Sequence, residues 1–256
     1  DWAVVADALA QRARLLHLVI ADIYGPRSLM DDCTLPPEVL YANPEFQRPF
    51  CDIGRMDRVP MFLYGVELAR SVEGQWWVMA DRSEAPAGPG FALENRIVSS
   101  RTMPAAFKQI PVERLAPFFA RLQNSVRRRA PRPGDNPRIV LLSSGPGHPY
   151  YFEDVYLARY LGYTMVEGGD LAVRNDTVYL KTLSGLVTVD IVLTRGAESG
   201  LDPLELGGYS AHGVPGLLNA IRSGNVTVTN TPGCGIVGAP VFMAFLPRLC
   251  QRLLGE

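Results

Sequence analysis

The sequence predicts an α/β protein, with a helix-and-hairpin lobe followed by a Rossmann-like lobe that carries a mainly parallel sheet. Two observations support this. Ile139-Val140-Leu141-Leu142 is a short continuous apolar run, as a parallel strand buried on both faces requires. It leads through Ser143-Ser144-Gly145-Pro146-Gly147 into a helical pattern, so Arg138 to Val173 reads as a βαβ unit. Ahead of it, two β-rich runs flank Glu73-Gly74 as a hairpin.

Taken in order, Val5 to Ala21 alternates apolar and charged residues at helical spacing, and Tyr24-Gly25-Pro26 ends that helix. A second short helix is expected at Leu29 and Met30, then a loop-rich stretch marked by Pro36-Pro37, Asn43-Pro44 and Arg48-Pro49. Residues 62–70 and 75–81 are expected as the hairpin strands. A polar loop over 81–90 follows, then residues 91–101, then a helix over 112–128. Pro131-Arg132-Pro133-Gly134-Asp135-Asn136-Pro137 is the clearest composition break, and it divides the chain into residues 1–133 and 134–256. Beyond it, Tyr151 to Leu161 is the helix of the βαβ unit, with Gly162 as its left-handed stop and Met165-Val166 as the next strand. A hairpin is expected around Asn175-Asp176. A buried strand over 189–193, a helix over 217–222, a strand over 226–229 and a closing helix over 242–254 complete the lobe.

The composition excludes several function classes. A net charge of −1 and one short basic cluster, Arg127-Arg128-Arg129 at an expected helix end, give no basis for nucleic-acid binding. No apolar run reaches the ~18 residues needed to span a bilayer, so a cytoplasmic protein is expected. Cys33, Cys51, Cys234 and Cys250 show neither CxxC spacing nor a histidine partner at ligand spacing, and read as free thiols. Gly145-Pro146-Gly147 lacks the third glycine of a dinucleotide fingerprint, and its prolines remove N–H donors that a phosphate would need. His17, His148 and His212 have no adjacent nucleophile elbow, which leaves hydrolase triads without support. The chain opens at Asp1 and stops just after the closing helix, so a longer polypeptide is expected.

Two places could carry chemistry. Ligands bind at the carboxyl ends of strands in open parallel sheets. There the chain places Thr194-Arg195-Gly196-Ala197-Glu198 and Asn230-Thr231-Pro232-Gly233-Cys234-Gly235, which bring a cation, a carboxylate, an amide and glycine backbone to one rim. On the hairpin, Glu67, Arg70, Asp81 and Arg82 combine hard oxygen ligands with guanidinium groups, a set that suits Mg2+ and phosphate. The same four charges would equally serve as cross-strand ion pairs. Only Lys108 and Lys181 are available for a lysine grip on phosphate.

Gln11-Arg12-Ala13-Arg14-Leu15-Leu16, Ala21-Asp22-Ile23-Tyr24-Gly25-Pro26, Asp81-Arg82 with Ala85 to Arg96, Tyr151-Phe152-Glu153, Leu157 to Gly162, Val166 to Leu171, Asp202 to Leu206 and Gly224-Asn225-Val226 run through nearly the whole chain. Together they resemble the circularly permuted ATP-grasp type 2 family, which is related to glutathionylspermidine synthase-like ligases. The resemblance implies an ATP- and Mg2+-dependent ligase that activates a carboxylate as an acyl phosphate and joins it to an amine of an amino-acid or peptide-like substrate. It implies nucleotide or metal contacts at Arg70, Asp81, Arg82, Asn95 and Arg96, with Glu67 and Asp81 toward the metal. It implies an acceptor-side site at Arg195, Glu198, Asp202, Asn230, Gly233 and Gly235, with Arg195 and Glu198 catalytic, and it makes the second lobe a pre-ATP-grasp domain. The chain departs from the family pattern in its thinned acidic cluster over 194–199, in Val237-Gly238-Ala239-Pro240, and in Glu67 where aspartate is usual. The rest of the ATP clamp would come from a later segment of the same polypeptide, leaving this part inactive alone. A degenerate binding or scaffold module with the same fold is the competing expectation.

Overall fold

A computed structural model describes residues 2–51, 60–132, 134, 136–196, 198–207 and 212–256. Three helices open the chain: α1 (Trp2–Tyr24), α2 (Ser28–Asp31) and α3 (Pro37–Tyr41). Strands β1 (Gly65–Arg70) and β2 (Trp76–Arg82) form the antiparallel hairpin. Helices α4 (Pro89–Thr102), α5 (Pro104–Gln109) and α6 (Ala116–Arg127) follow. Prolines set these boundaries: Pro104 and Pro117 sit in first turns, where a missing N–H costs no helix bond. The expected helix over 112–128 accordingly begins only at Ala116.

The parallel sheet contains β3 (Ile139–Leu142), β4 (Thr164–Val166), β8 (Ile191–Thr194) and β9 (Thr227–Thr229), in the order β4-β3-β8-β9 with every pair parallel. All four residues of β3 are buried, which accounts for its unbroken apolar run. Side chains alternate across the sheet. Val140 and Leu142 therefore face a core with Leu217 and Ala220 of α8 (Leu217–Arg222), while Leu141 faces Leu157, Ala158 and Leu161 of α7 (Tyr151–Leu161) together with Leu93 and Phe119. Between β4 and β8 the chain makes an antiparallel meander of β5 (Leu171–Arg174), β6 (Thr177–Thr182) and β7 (Gly185–Thr188). Its first turn is Asn175-Asp176, with φ of 47° and 55° at the two positions, the left-handed pair that a two-residue hairpin needs. Gly162 follows α7 with φ 72°, as its place in the sequence implied.

Two further segments differ from expectation. The closing helix is divided into a 3-10 stretch at Pro240–Ala244 and α9 (Leu246–Leu253), with Pro247 in the new first turn. Phe62 and Leu63 do not join the hairpin because both of their N–H groups donate to Asn230 Oδ1, at 2.7 Å each. The largest core packs Leu15, Leu16, Val19, Ile20 and Ile23 of α1 against Phe242, Leu246 and Leu249 near the other end of the chain. One core thus joins residues on both sides of the proline-rich break. No helix among the described residues is long and apolar enough to cross a membrane.

Asn230 is buried and uses its full hydrogen-bonding capacity, accepting from Phe62 and Leu63 and donating through Nδ2 to Leu63 O and Ser83 O. Asn230→Ala orphans those four backbone groups, so urea denaturation should show a loss of at least about 2 kcal/mol. A loss below about 0.5 kcal/mol would mean that the clamp is dispensable.

Candidate functional site

A cleft of about 640 Å³ lies between the β1–β2 hairpin, the 83–87 loop and the 235–239 turn, and Glu45 and Tyr150 complete its wall. Its position follows from three buried side chains behind it. Arg195, at the end of β8, spends its guanidinium inward: Nη2 donates to Glu153 (2.7 Å), Nε to Asp154 (2.9 Å) and Nη1 to Pro86 O (3.1 Å). Glu153 then accepts the N–H groups of Gly88 and Gly90 at 2.8 and 2.9 Å, and Asp154 accepts the Ser143 hydroxyl at the end of β3. The loop after the hairpin is thereby fastened to the carboxyl edge of the parallel sheet.

Glu198 is the second anchor. Its carboxylate accepts the N–H of Gly233 (2.7 Å) and of Gly235 (3.2 Å), and its own N–H donates to Glu84. Gly233 has φ 98°, and a Cβ there would stand 2.7 Å from the Tyr24 ring, so conformation and space both demand glycine. Burial raises the Glu198 pKa well above the ordinary carboxyl value, and the neighbouring Glu84 raises it further. Glu84 is itself raised, mainly by burial and then by Glu45. Three carboxyl groups therefore crowd one end of the cleft.

Of the residues expected in the site, Glu67, Asp81, Arg82 and Gly235 line the cleft. Glu67 pairs with Arg82 on the exposed side of the hairpin. Asp81 is buried and takes a bidentate contact from Arg12 of α1 (2.8 and 2.6 Å) and a hydrogen bond from the Tyr64 hydroxyl. In the hairpin register Asp81 stands opposite Val66 and Arg82 opposite Gly65, which puts Asp81 and Glu67 on opposite faces. They are not brought together on one ion. Arg70 lies toward the turn, over the Trp76 ring at 5.5 Å, with Nε on Gly74 O. Asn95 is exposed on α4 beside Ser99, and Arg96 donates to Glu113 O. Asp202 is fully buried, and its carboxylate accepts the N–H groups of Leu204, Gly216 and Leu218, which closes the loop into α8. Asn230 and Gly233 are likewise buried behind the cleft. Ala197, within the thinned acidic cluster, lies outside the described residues.

The residues that sequence reasoning missed are Glu45, Ser83, Glu84 and Gly238. Ser83 and Glu84 directly follow the Asp81-Arg82 block, whereas nothing near Glu45 in the chain marks it. Among the described residues no three histidine, cysteine, aspartate or glutamate side chains converge so as to hold a metal ion. A closed protein cage for a metal is thus missing among those residues, whereas a Mg2+ held chiefly by phosphate and water would need only one or two carboxylates, and Glu67 and Asp81 line the cleft. Arg70, Arg82 and Arg96 each make other contacts and do not form a common phosphate cradle.

The family described as circularly permuted ATP-grasp type 2 has a model that matches residues 1–256. An uncharacterized protein of Mycobacterium tuberculosis is 38% identical over the whole of this chain and 29% of its own length. One from Synechocystis is 32% identical over the whole chain and 53% of its length, and one from Mycobacterium leprae is 30% identical over the whole chain and 46% of its length. The chain spans about half or less of these curated relatives.

Because the folded pKa of Glu198 lies above its ordinary value of 4.5, the folded state holds that proton more tightly than the unfolded one. Its contribution to stability is then full at acid pH and is lost as pH rises through the raised value. Glu198→Gln should flatten this fall and make the variant more stable than the parent at pH 8 but not at pH 4.5, read by urea denaturation at each pH. Parallel stability profiles would show that Glu198 does not titrate in this way.

Proposed function

The chain belongs to the circularly permuted ATP-grasp type 2 family, and from that membership we propose that it is the cleft-forming part of an ATP-dependent carboxylate–amine ligase. The observation that carries the reading is the family match over the entire chain, in agreement with the sequence blocks that suggested it. In such a reaction ATP phosphorylates a carboxylate, an amine attacks the acyl phosphate, and an amide and inorganic phosphate leave. The free energy of ATP thereby drives a condensation that water would otherwise reverse.

In this reading the present chain supplies the cleft and its supports. Arg195, Glu198 and Asn230 act as positioning residues, since each spends its polar atoms on neighbouring protein groups rather than on the cleft. Asp81 joins the hairpin to α1 through Arg12. Glu67 and Asp81 are the carboxylates of the hairpin that would serve a Mg2+ held chiefly by phosphate and water, and the remaining metal and phosphate contacts would come from the rest of the polypeptide. The curated relatives that match this chain from end to end are longer than it, which leaves room for that part. The substrates are a small carboxylate and a small amine of amino-acid or peptide type, and the cleft volume is within the range usual for small-molecule sites.

The test is ADP release by the longer polypeptide, supplied with ATP, Mg2+ and a pool of amino acids and short peptides, with new amides sought by mass spectrometry. ADP release coupled to amide formation is expected from the longer polypeptide and none from residues 1–256 alone. No ADP with any member of the pool, from a protein that is folded by circular dichroism, would favour a binding or scaffold module instead.

A further inference from the structure

We propose that the recess formed by Glu45, Ser83 and Glu84 receives the protonated primary amine of the acceptor substrate. The word acceptor rests on the ligase reading, whereas the ammonium-binding chemistry stands on the recess itself. Two observations of different kinds point to it.

The first is negative charge that no cation among the described residues is seen to answer. Glu45 and Glu84 both line the cleft, and Glu198 lies just behind Gly235: a Cβ at Gly235 would stand 3.4 Å from Oε2 of both Glu45 and Glu198. The nearby guanidinium groups point elsewhere, Arg82 to Glu67 and Arg195 to Glu153 and Asp154. The second is an orphaned hydroxyl. Ser83 is only 2% exposed and lines the same cleft, yet its Oγ has no hydrogen-bond partner among the described residues. A buried hydroxyl left unpaired costs on the order of 1–3 kcal/mol, so a donor that reaches it is favoured. A Cβ at Gly238 would come within 3.2 Å of that Oγ and 3.0 Å of Asp81 O, so only glycine fits beside the hydroxyl without crowding it.

The chemistry of the recess selects a primary ammonium over the alternatives. An –NH3+ group offers three donors and no acceptor, which matches two carboxylates and a hydroxyl oxygen. A phosphate or carboxylate would meet like charge. Mg2+ demands near-octahedral oxygens at about 2.0–2.1 Å, and no three histidine, cysteine, aspartate or glutamate side chains among the described residues are grouped to hold a metal ion. An ammonium accepts oxygens at the longer distances of charge-assisted hydrogen bonds, about 2.7–2.9 Å. Ala85, Pro86, Ala87 and Ala239 continue the cleft wall and suit the carbon stem of such an amine. Burial and the Glu45 charge also raise the Glu84 pKa, which makes that carboxylate a fitting base for the proton an amine must lose before it attacks.

The test is titration of n-butylamine hydrochloride into the 256-residue chain at pH 7, with 1-butanol and sodium butyrate as isosteres, following the Gly235 and Gly238 amide signals by NMR. Saturable shifts are expected with butylammonium alone, with affinity lowered at least about tenfold in Glu45→Gln and in Glu84→Gln and severalfold in Ser83→Ala. The Glu84→Gln side chain can still accept the Glu198 N–H, which preserves the fold. Equal shifts with 1-butanol, unchanged affinity in both glutamine variants, or displacement of butylammonium by equimolar Mg2+ would overturn the proposal. Butylammonium binding without ADP release by the longer polypeptide would keep the recess and remove the ligase. ADP release indifferent to Glu45→Gln and Glu84→Gln would do the reverse.

Discussion

Arg195 is a buried cation at the end of a buried strand, and its charge must be answered where it lies. Stripping a guanidinium of water costs several kcal/mol unless its donors are met, so Glu153 and Asp154 at the start of α7 are held within 2.7 and 2.9 Å of it. Once fixed, these two carboxylates have oxygens to spare. Glu153 takes the N–H groups of Gly88 and Gly90, and Asp154 takes the Ser143 hydroxyl. A side chain at Gly90 would clash with Glu153, since its Cβ would approach Cγ to 2.7 Å. Sheet edge, helix start and cleft loop are in this way parts of one electrostatic assembly.

Asn230 and Glu198 extend the same logic with neutral and anionic groups. Asn230 ties the end of β9 to the segment before the hairpin and to Ser83, while Glu198 gathers the Gly233–Gly235 turn. Arg195, Glu198 and Asn230, which look chemical in the sequence, thus direct their polar atoms to neighbouring protein groups along the rim. The surface this rim presents to the cleft carries Glu45, Glu67 and Glu84. That is an acidic wall in a protein whose family name concerns a polyanionic nucleotide, and the contrast is what assigns this part of the cleft to a cation.

Much of the fold was legible because its signals are local. The unbroken Ile139–Leu142 run, the Asn175-Asp176 turn and the Gly162 stop each reflect backbone or burial constraints acting within a few residues. The end of the hairpin was not legible, because Phe62 and Leu63 are withdrawn from the ladder by a side chain 167 and 168 positions away. Nor was the shared core of α1 and α9 visible across the proline-rich break. At the site, the sequence names residue types but not the directions their side chains take. Spacing can place Arg195 at a strand end but cannot say which way its guanidinium turns. The partners that decide this, Glu153 and Asp154, lie 42 and 41 positions earlier. Glu45 enters the cleft only through tertiary packing and left no mark in the sequence.

The most direct measurement of the Arg195 clamp is a double-mutant cycle in urea between Arg195→Met and Glu153→Gln. Arg195→Met alone should cost about 3–5 kcal/mol, as expected when one member of a buried ion pair is removed, and Glu153→Gln should cost far less in the Arg195→Met background than in the parent. Strictly additive losses would contradict the clamp, because they would mean that the two side chains stabilise the protein independently.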